Sequence, residues 1–166
     1  MSSGCQFDVR VQCADFDLCE LYPILRNNSQ TGAAVMFVGF VRDFIDSIQL
    51  IELSLEHYPA MTQKVLEDLA ASAADRWQLQ KIVIIHRVGS LTLSDQIVLV
   101  AVTSAHRTAA FEASQFLMDQ LKTRAPFWKK ETLCNKITNE VLTQWVDAKV
   151  SDATKAMRWD IKQTAF

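Results

Sequence analysis

The sequence predicts an α+β protein, with helices packed on a largely antiparallel sheet. Three observations carry that prediction. Short stretches alternate apolar and polar residues with a period of two. Two longer stretches repeat apolar residues at three- and four-residue spacing. The apolar runs "KIVIIHRVG" and "QIVLVAVTS" are separated only by "SLTLSD", a connection short enough for a hairpin.

The elements follow in order. "FDVRVQCADF" places Phe7, Val9 and Val11 on one strand face. Asp17 is placed to cap a short helix running to Leu25, which Pro23 should shorten or kink. "GAAVMFVGFV", Gly32 to Val41, is a nearly continuous apolar run and reads as a buried strand ending at Arg42. After the polar turn "RDFIDS", "LIELSLEHY" alternates, with Ile51, Leu53 and Leu55 expected on one face. Pro59 suits the first turn of a helix whose stripe is Met61, Val65, Leu69, Ala73 and Trp77. The hairpin comes next. "SAHRTAAFEASQFLMDQLK" is again helical, lined by Ala110, Ala113, Leu117 and Leu121. "VLTQWVDAKV" reads as a late strand, followed by a charged tail. The predicted order is β-α-β-β-α-β-β-α-β.

Bulk composition narrows the function. A chain of 166 residues, 49% hydrophobic and 22% charged, suits one domain spanning residues 1–166. A net charge of −2 argues against a general nucleic-acid binder, though not against a local cationic pocket. No apolar run approaches a membrane span, and "MSSGCQFDVR" carries no apolar signal region. Cys5, Cys13, Cys19 and Cys134 form no metal-site spacing, which points to a reduced, cytosolic protein without a bound metal.

Two cationic stretches stand out. His106 and Arg107 fall where a strand ends and a helix begins, and a helix start offers unpaired N–H groups to an anion. The plain alternative is a solvated first-turn arginine beside a capping histidine. "LKTRAPFWKK" sets Lys122 before a Pro-Phe-Trp segment and Lys129 and Lys130 after it. Pro126 restricts the backbone, and Phe127 and Trp128 are expected to anchor a rigid turn by burial. A lysine held in that way can act as base or nucleophile. The alternatives are a solvated loop and, for Lys122, an ordinary last-turn lysine favoured by the helix dipole. Arg42 follows Gly39, which permits close approach, or is a simple strand-end charge. His57 and His86 lie within strand patterns and read as packing residues.

Together "FVGFVRD", "LEHYPAMTQK", "VIIHRVGSL", "VTSAHRTAAFEASQFLMDQLKTRAPFWKKE" and "WVDAK" resemble the large, catalytic subunit family of molybdopterin synthase, from about Phe7 to Trp159. The resemblance implies an α/β-hammerhead fold with a small extra β subdomain. It implies sulfur transfer to cyclic pyranopterin monophosphate from a small ubiquitin-like subunit whose C-terminal Gly-Gly ends as a thiocarboxylate. It also implies a homodimer carrying two small subunits, with no cofactor and no metal of its own.

By the same likeness Lys122 and Lys129 are catalytic. Phe40, Val41, Arg42, His106, Arg107, Lys130 and Glu131 would join them in holding substrate. Two anionic reactants must be brought together, which calls for preorganised cations. The chain departs from the family in "RDFIDSIQL", which has no Gly and carries Phe44 and Ile45, and in the longer "TLCNKITNEVLTQ". The competing readings are a non-catalytic partner-binding dimer and a phosphate-ligand sensor on the same fold.

Overall fold

The structure, a computed structural model, describes residues 4–26, 29–43, 47–146 and 150–159, with residues 150–152 described by their backbone alone. Its elements are β1 (Gln6–Gln12), α1 (Leu18–Leu25), β2 (Ala33–Phe40), β3 (Ile48–His57), α2 (Pro59–Arg76), β4 (Leu79–Arg87), β5 (Gly89–Leu91), β6 (Gln96–Ser104), α3 (Arg107–Arg124), β7 (Phe127–Asn135), β8 (Val141–Val146) and α4 (Val150–Met157). They form two four-stranded sheets, ordered β1-β4-β6-β2 and β5-β3-β7-β8. Among the described residues only the β1–β4 pair is parallel, so the α+β expectation holds. The expected extra β unit is the second sheet, as large in strand number as the first. Among the described residues no helix is long and apolar enough to cross a membrane.

The two apolar runs that predicted the hairpin are buried on both faces. Ile82 and Ile84 of β4, with Val98, Val100 and Val102 of β6, pack under α2 and α3. Val83 and Ile85, with Leu99 and Ala101, face Phe16, Leu21 and Leu25 around α1. A central strand covered on both sides reads as continuous rather than alternating apolar sequence. Each such Ile or Leu contributes about 1.5–3 kcal/mol by burial. The strands pair antiparallel as predicted. Their connection holds a further strand, β5, which leaves the hairpin to pair with β3.

Five local readings change. Asp17 does cap α1, accepting the Cys19 N–H, and the helix runs through Pro23 for two more residues. In α2 the buried row is Thr62, Leu66, Leu69, Ala70 and Ala73, and Met61 is 55% exposed. A strict four-residue spacing advances about 40° beyond a full turn at each step, so it spirals off one face. In β3 a bulge between Leu50 and Glu52 turns Leu50, Leu53 and Leu55 inward and Ile51 outward. The stretch after Pro126 is the strand β7, not a turn, and part of the expected charged tail is helix α4. Trp159, beyond α4, meets Trp77 and Phe116 at 5.8 and 5.5 Å between ring centres.

Both departures from the family pattern border the second sheet. Asp43 accepts the Leu50 N–H at 2.7 Å, closing the loop before β3. Phe44 and Ile45 lie outside the described residues, as do Asp147 to Lys149 of "WVDAK". The "TLCNKITNEVLTQ" segment is the far half of β7, a turn fastened by Asn135, and β8.

Candidate active site

Strand alternation separates the two adjacent lysines of β7. Lys129 lies opposite Leu55 and Glu131 opposite Leu53, so both share the face of the buried cluster of Val41, Leu50, Leu53, Leu55 and Leu91. Lys129 Nζ is 2.6 Å from Glu131 Oε1, and the Glu131 side chain is only 9% exposed. Lys130 lies opposite Ser54 and Trp145 on the outer face. Its Nζ is 3.7 Å from Glu56 Oε1 and 5.2 Å from the centre of the Trp145 ring. The same alternation divides the aromatic pair. Phe127 stacks on His86 at 3.8 Å and 15°, whereas Trp128 is 52% exposed on the outer face. Only Phe127 therefore anchors the segment from within.

His86 is a packing residue, as its strand position suggested. Burial drives its pKa down to about 4, with a further lowering from His57. Its Nδ1 lies 2.8 Å from the Arg87 carbonyl oxygen, where a neutral ring donates an N–H. The ring thus supports β7 without carrying charge.

The last turn of α3 holds Lys122, exposed, one residue beyond buried Leu121. Leu121, Val98, Ile97, Ala125 and Phe127 belong to one packed cluster. Ile97 also packs against the cluster containing Val41 and Leu55. Val41 is fixed by its backbone: it donates to the Asp95 carbonyl and accepts from the Ser94 N–H, both at 2.9 Å. Phe40 beside it is 54% exposed. One end of the molecule therefore collects Phe40, Val41, Arg42, Lys122, Lys129 and Glu131.

His106 and Arg107 stand at the other end of α3. His106 is the N-cap residue and makes no side-chain capping bond. Its N–H donates to Ser104 Oγ at 3.3 Å, and that hydroxyl donates to the Gln78 carbonyl at 2.9 Å. Gly32 completes the corner, donating its N–H to the Ser104 carbonyl at 3.1 Å. A Cβ on Gly32 would lie 2.3 Å from the Ala105 carbonyl oxygen, so only glycine fits. From 107 to 122 is 15 residues, about 22 Å of helix axis at 1.5 Å each. Within one chain, His106 and Arg107 thus stand apart from Arg42, Lys122 and Lys129.

The partners of the lysines are the part that sequence reading did not pair: Glu131 with Lys129, Glu56 and Trp145 with Lys130. A period-two reading of "FWKKETLCN" was the available signal. Among the described residues no group of three His, Cys, Asp or Glu side chains could hold a metal ion. The four cysteines are unbonded, and burial pushes the Cys5 thiol up to about 11.

A family model described as MoaE protein matches residues 11–124. The molybdopterin synthase catalytic subunit of Vibrio cholerae is 49% identical over 152 residues, covering 92% of this chain and 97% of that protein. The protein of the same name from Escherichia coli is 48% identical over 144 residues, covering 87% and 92%. Among solved structures, the molybdopterin biosynthesis MoaE protein of Burkholderia ambifaria superposes with a TM-score of 0.77 at 43% identity, over 95% of this chain and 100% of that one. Molybdopterin synthase of Staphylococcus aureus gives 0.72 at 30% identity, over 82% and 95%. A match this long, in sequence and in fold, places the chain in the MoaE family.

Proposed function

We propose that this chain is the catalytic subunit of a molybdopterin synthase in molybdenum cofactor biosynthesis. It moves sulfur from the C-terminal thiocarboxylate of a small ubiquitin-like partner to cyclic pyranopterin monophosphate, forming the dithiolene. The observation that carries this reading is the Lys129–Glu131 pair, set on the inner face of β7 at the Lys122 end of α3. A non-catalytic scaffold has no need of an amine held against a buried carboxylate.

The chemistry assigns work to these residues. The partner's sulfur forms a bond to a substrate carbon, and the displaced oxygen takes a proton. Water then cleaves the acyl–sulfur bond and leaves the partner with an ordinary carboxylate. Lys129 and Lys122 neutralise the incoming thiocarboxylate and supply or accept the proton. Glu131 fixes the Lys129 amine. Arg42, His106 and Arg107 hold the phosphate, Phe40 and Val41 flank the pterin, and Lys130 serves the rim. Because about 22 Å of helix separates Arg107 from Lys122, a single pocket that uses both draws them from two copies of the chain. The free cysteines suit the cytosol as the place of reaction.

The test is single-turnover conversion of cyclic pyranopterin monophosphate by the purified chain with thiocarboxylated partner. A sulfur-containing, ring-opened product is expected, with none when the partner ends in a plain carboxylate. No product with the thiocarboxylated form, or equal product with both forms, overturns the reading.

A further inference from the structure

The last described residues of the chain fold back onto α3. Asp119 Oδ2 accepts the Trp159 indole N–H at 2.9 Å and lies 2.6 Å from the Arg158 guanidinium, on a side chain only 12% exposed. Beside it, buried Gln120 donates its amide N–H to the Ala156 carbonyl at 3.4 Å. The Trp159 carbonyl accepts from the Arg76 guanidinium at 2.9 Å, and its ring stands edge-on to Trp77 and Phe116. Chain ends fray unless they are tied down, and a helix of eight residues such as α4 is too short to hold itself in water. These contacts with α3 are the tie.

The tie closes a loop that contains both lysines of the site. From Asp119 the chain passes Lys122, bends at Ala125 and Pro126, and forms β7 with Lys129 and Glu131. It returns as β8 and α4 and meets Asp119 again at Trp159. Within that loop β8 pairs along β7, Val146 opposite Lys129 and Trp145 opposite Lys130. The C-terminal segment therefore supports both amines at once, Lys129 through a strand ladder and Lys122 through its grip on α3.

We propose that Asp119, with Trp159 and Arg158 as its partners, is a positioning residue that sets the last turn of α3 against β7 and so places the Lys122 amine relative to Lys129. The proposal rests on the reading that these two lysines serve one reacting centre. Lys122 comes three residues after Asp119, about 4.5 Å farther along the axis and on a neighbouring flank. A last helical turn lacks part of its backbone bonding and is the first to loosen. On the inner side Leu121 holds this turn in the core. On the other side Lys122, Thr123 and Arg124 are exposed. The Thr123 hydroxyl bonds only back along the helix, to the Asp119 and Gln120 carbonyls at 3.1 and 3.2 Å. The clasp at Asp119 is thus the outer support of a turn whose inner support is Leu121. Removing the carboxylate leaves the core untouched and takes the acceptor from both Trp159 and Arg158. A shift of about 1 Å at a reacting group can cost as much as a hundredfold in rate.

A plain structural staple would lower the melting temperature without acting through the chemical step. Asp119→Ala separates the two roles, assayed for turnover with thiocarboxylated partner beside a thermal melt. Turnover at saturating substrate is expected to fall about tenfold to a hundredfold. KM for the pterin substrate is expected to stay within about twofold. Trp159→Phe keeps the ring and loses the indole N–H. It is expected to fall between Asp119→Ala and wild type, and it carries the test should Asp119→Ala fail to fold.

The decisive arm repeats the substitution in a Lys122→Ala chain. A residue that acts through Lys122 has little left to lose there, so the further drop is expected to be less than about twofold. The same loss in both backgrounds makes Asp119 a general stabiliser and overturns the proposal. Folded clasp variants with wild-type turnover, beside an impaired Lys122→Ala chain, remove the clasp and keep the lysine reading. Wild-type turnover by Lys122→Ala itself removes the lysine reading, and the proposal falls with it.

Discussion

Lys129 and Lys130 are neighbours in sequence and opposites in structure. Lys129 points to the inner face of β7, against a carboxylate that is nearly closed to solvent. Lys130 points outward, over an exposed indole and near the solvated Glu56. The charge is the same, and so is the strand. What differs is whether a fixed, water-poor partner holds the amine. A catalytic amine benefits from such fixing because the cost of ordering it falls in folding rather than in the reaction.

The largest effect that would break this comparison is at Lys129. Lys129→Ala is expected to cut single-turnover product formation by about 10²–10⁴ while the thermal melt stays near wild type. Lys122→Ala is expected to follow it, strongly impaired though less so. Lys→Arg at either position should not restore full rate, because a guanidinium stays protonated and cannot take up a proton. Wild-type turnover by folded Lys129→Ala would falsify the distinction between the two faces.

The support beneath Lys129 gives the next effect. His86, stacked on Phe127, has a folded pKa near 4, against about 6.5 in an unfolded chain. Between those values the unfolded chain binds the extra proton. The stability held by the neutral ring is therefore complete above pH 6.5 and drains away as pH falls toward 4, by about 3 kcal/mol at most. Denaturant titrations at pH 7 and 4.5 should show that loss, and His86→Phe should flatten it. An unchanged pH dependence in His86→Phe would place the acid sensitivity elsewhere.

At the far end of α3, Arg107→Ala is expected to weaken substrate binding by about 1.5–3 kcal/mol, the loss of a charge-assisted hydrogen bond, with the fold intact. Calorimetric titration with substrate in the presence of partner measures it, and unchanged affinity would remove Arg107 from the pocket. The smallest effect is expected at Lys130. Its ion pair is partly solvated and worth about 0.2–1 kcal/mol, so Lys130→Ala should lower turnover by less than about fivefold. A loss as deep as that of Lys129→Ala would erase the difference between the faces.

Much of this was legible in the sequence where a single physical rule governs. The paired apolar runs of β4 and β6 gave the central hairpin. The mixed three- and four-residue spacing of Ala110, Ala113, Leu117 and Leu121 gave the buried side of α3 correctly. The helix start at His106 and Arg107 and the last-turn position of Lys122 were equally readable. The reading slipped where two rules competed. Pro126 and two aromatics suggested a turn at "APFWKK", yet pairing with β3 and β8 on both sides draws the backbone straight. Ile51 fitted an alternating row until a one-residue bulge moved it to solvent. The distance between the two cationic groups was invisible, because residue type says nothing about which end of a helix returns to which strand.

Gly32 lies outside both groups of charged residues, yet it bears on one of them. Its missing side chain leaves room for the Ala105 carbonyl at a separation no methyl group would tolerate. The obstacle is backbone, which cannot rotate aside as a side chain does, so a substitution must displace the corner that carries His106 and Arg107. A collection of loss-of-function alleles should accordingly contain Gly32→Ala or Gly32→Ser. Their products should fold and fail in the manner of an Arg107 allele, although the altered codon specifies no reactive group.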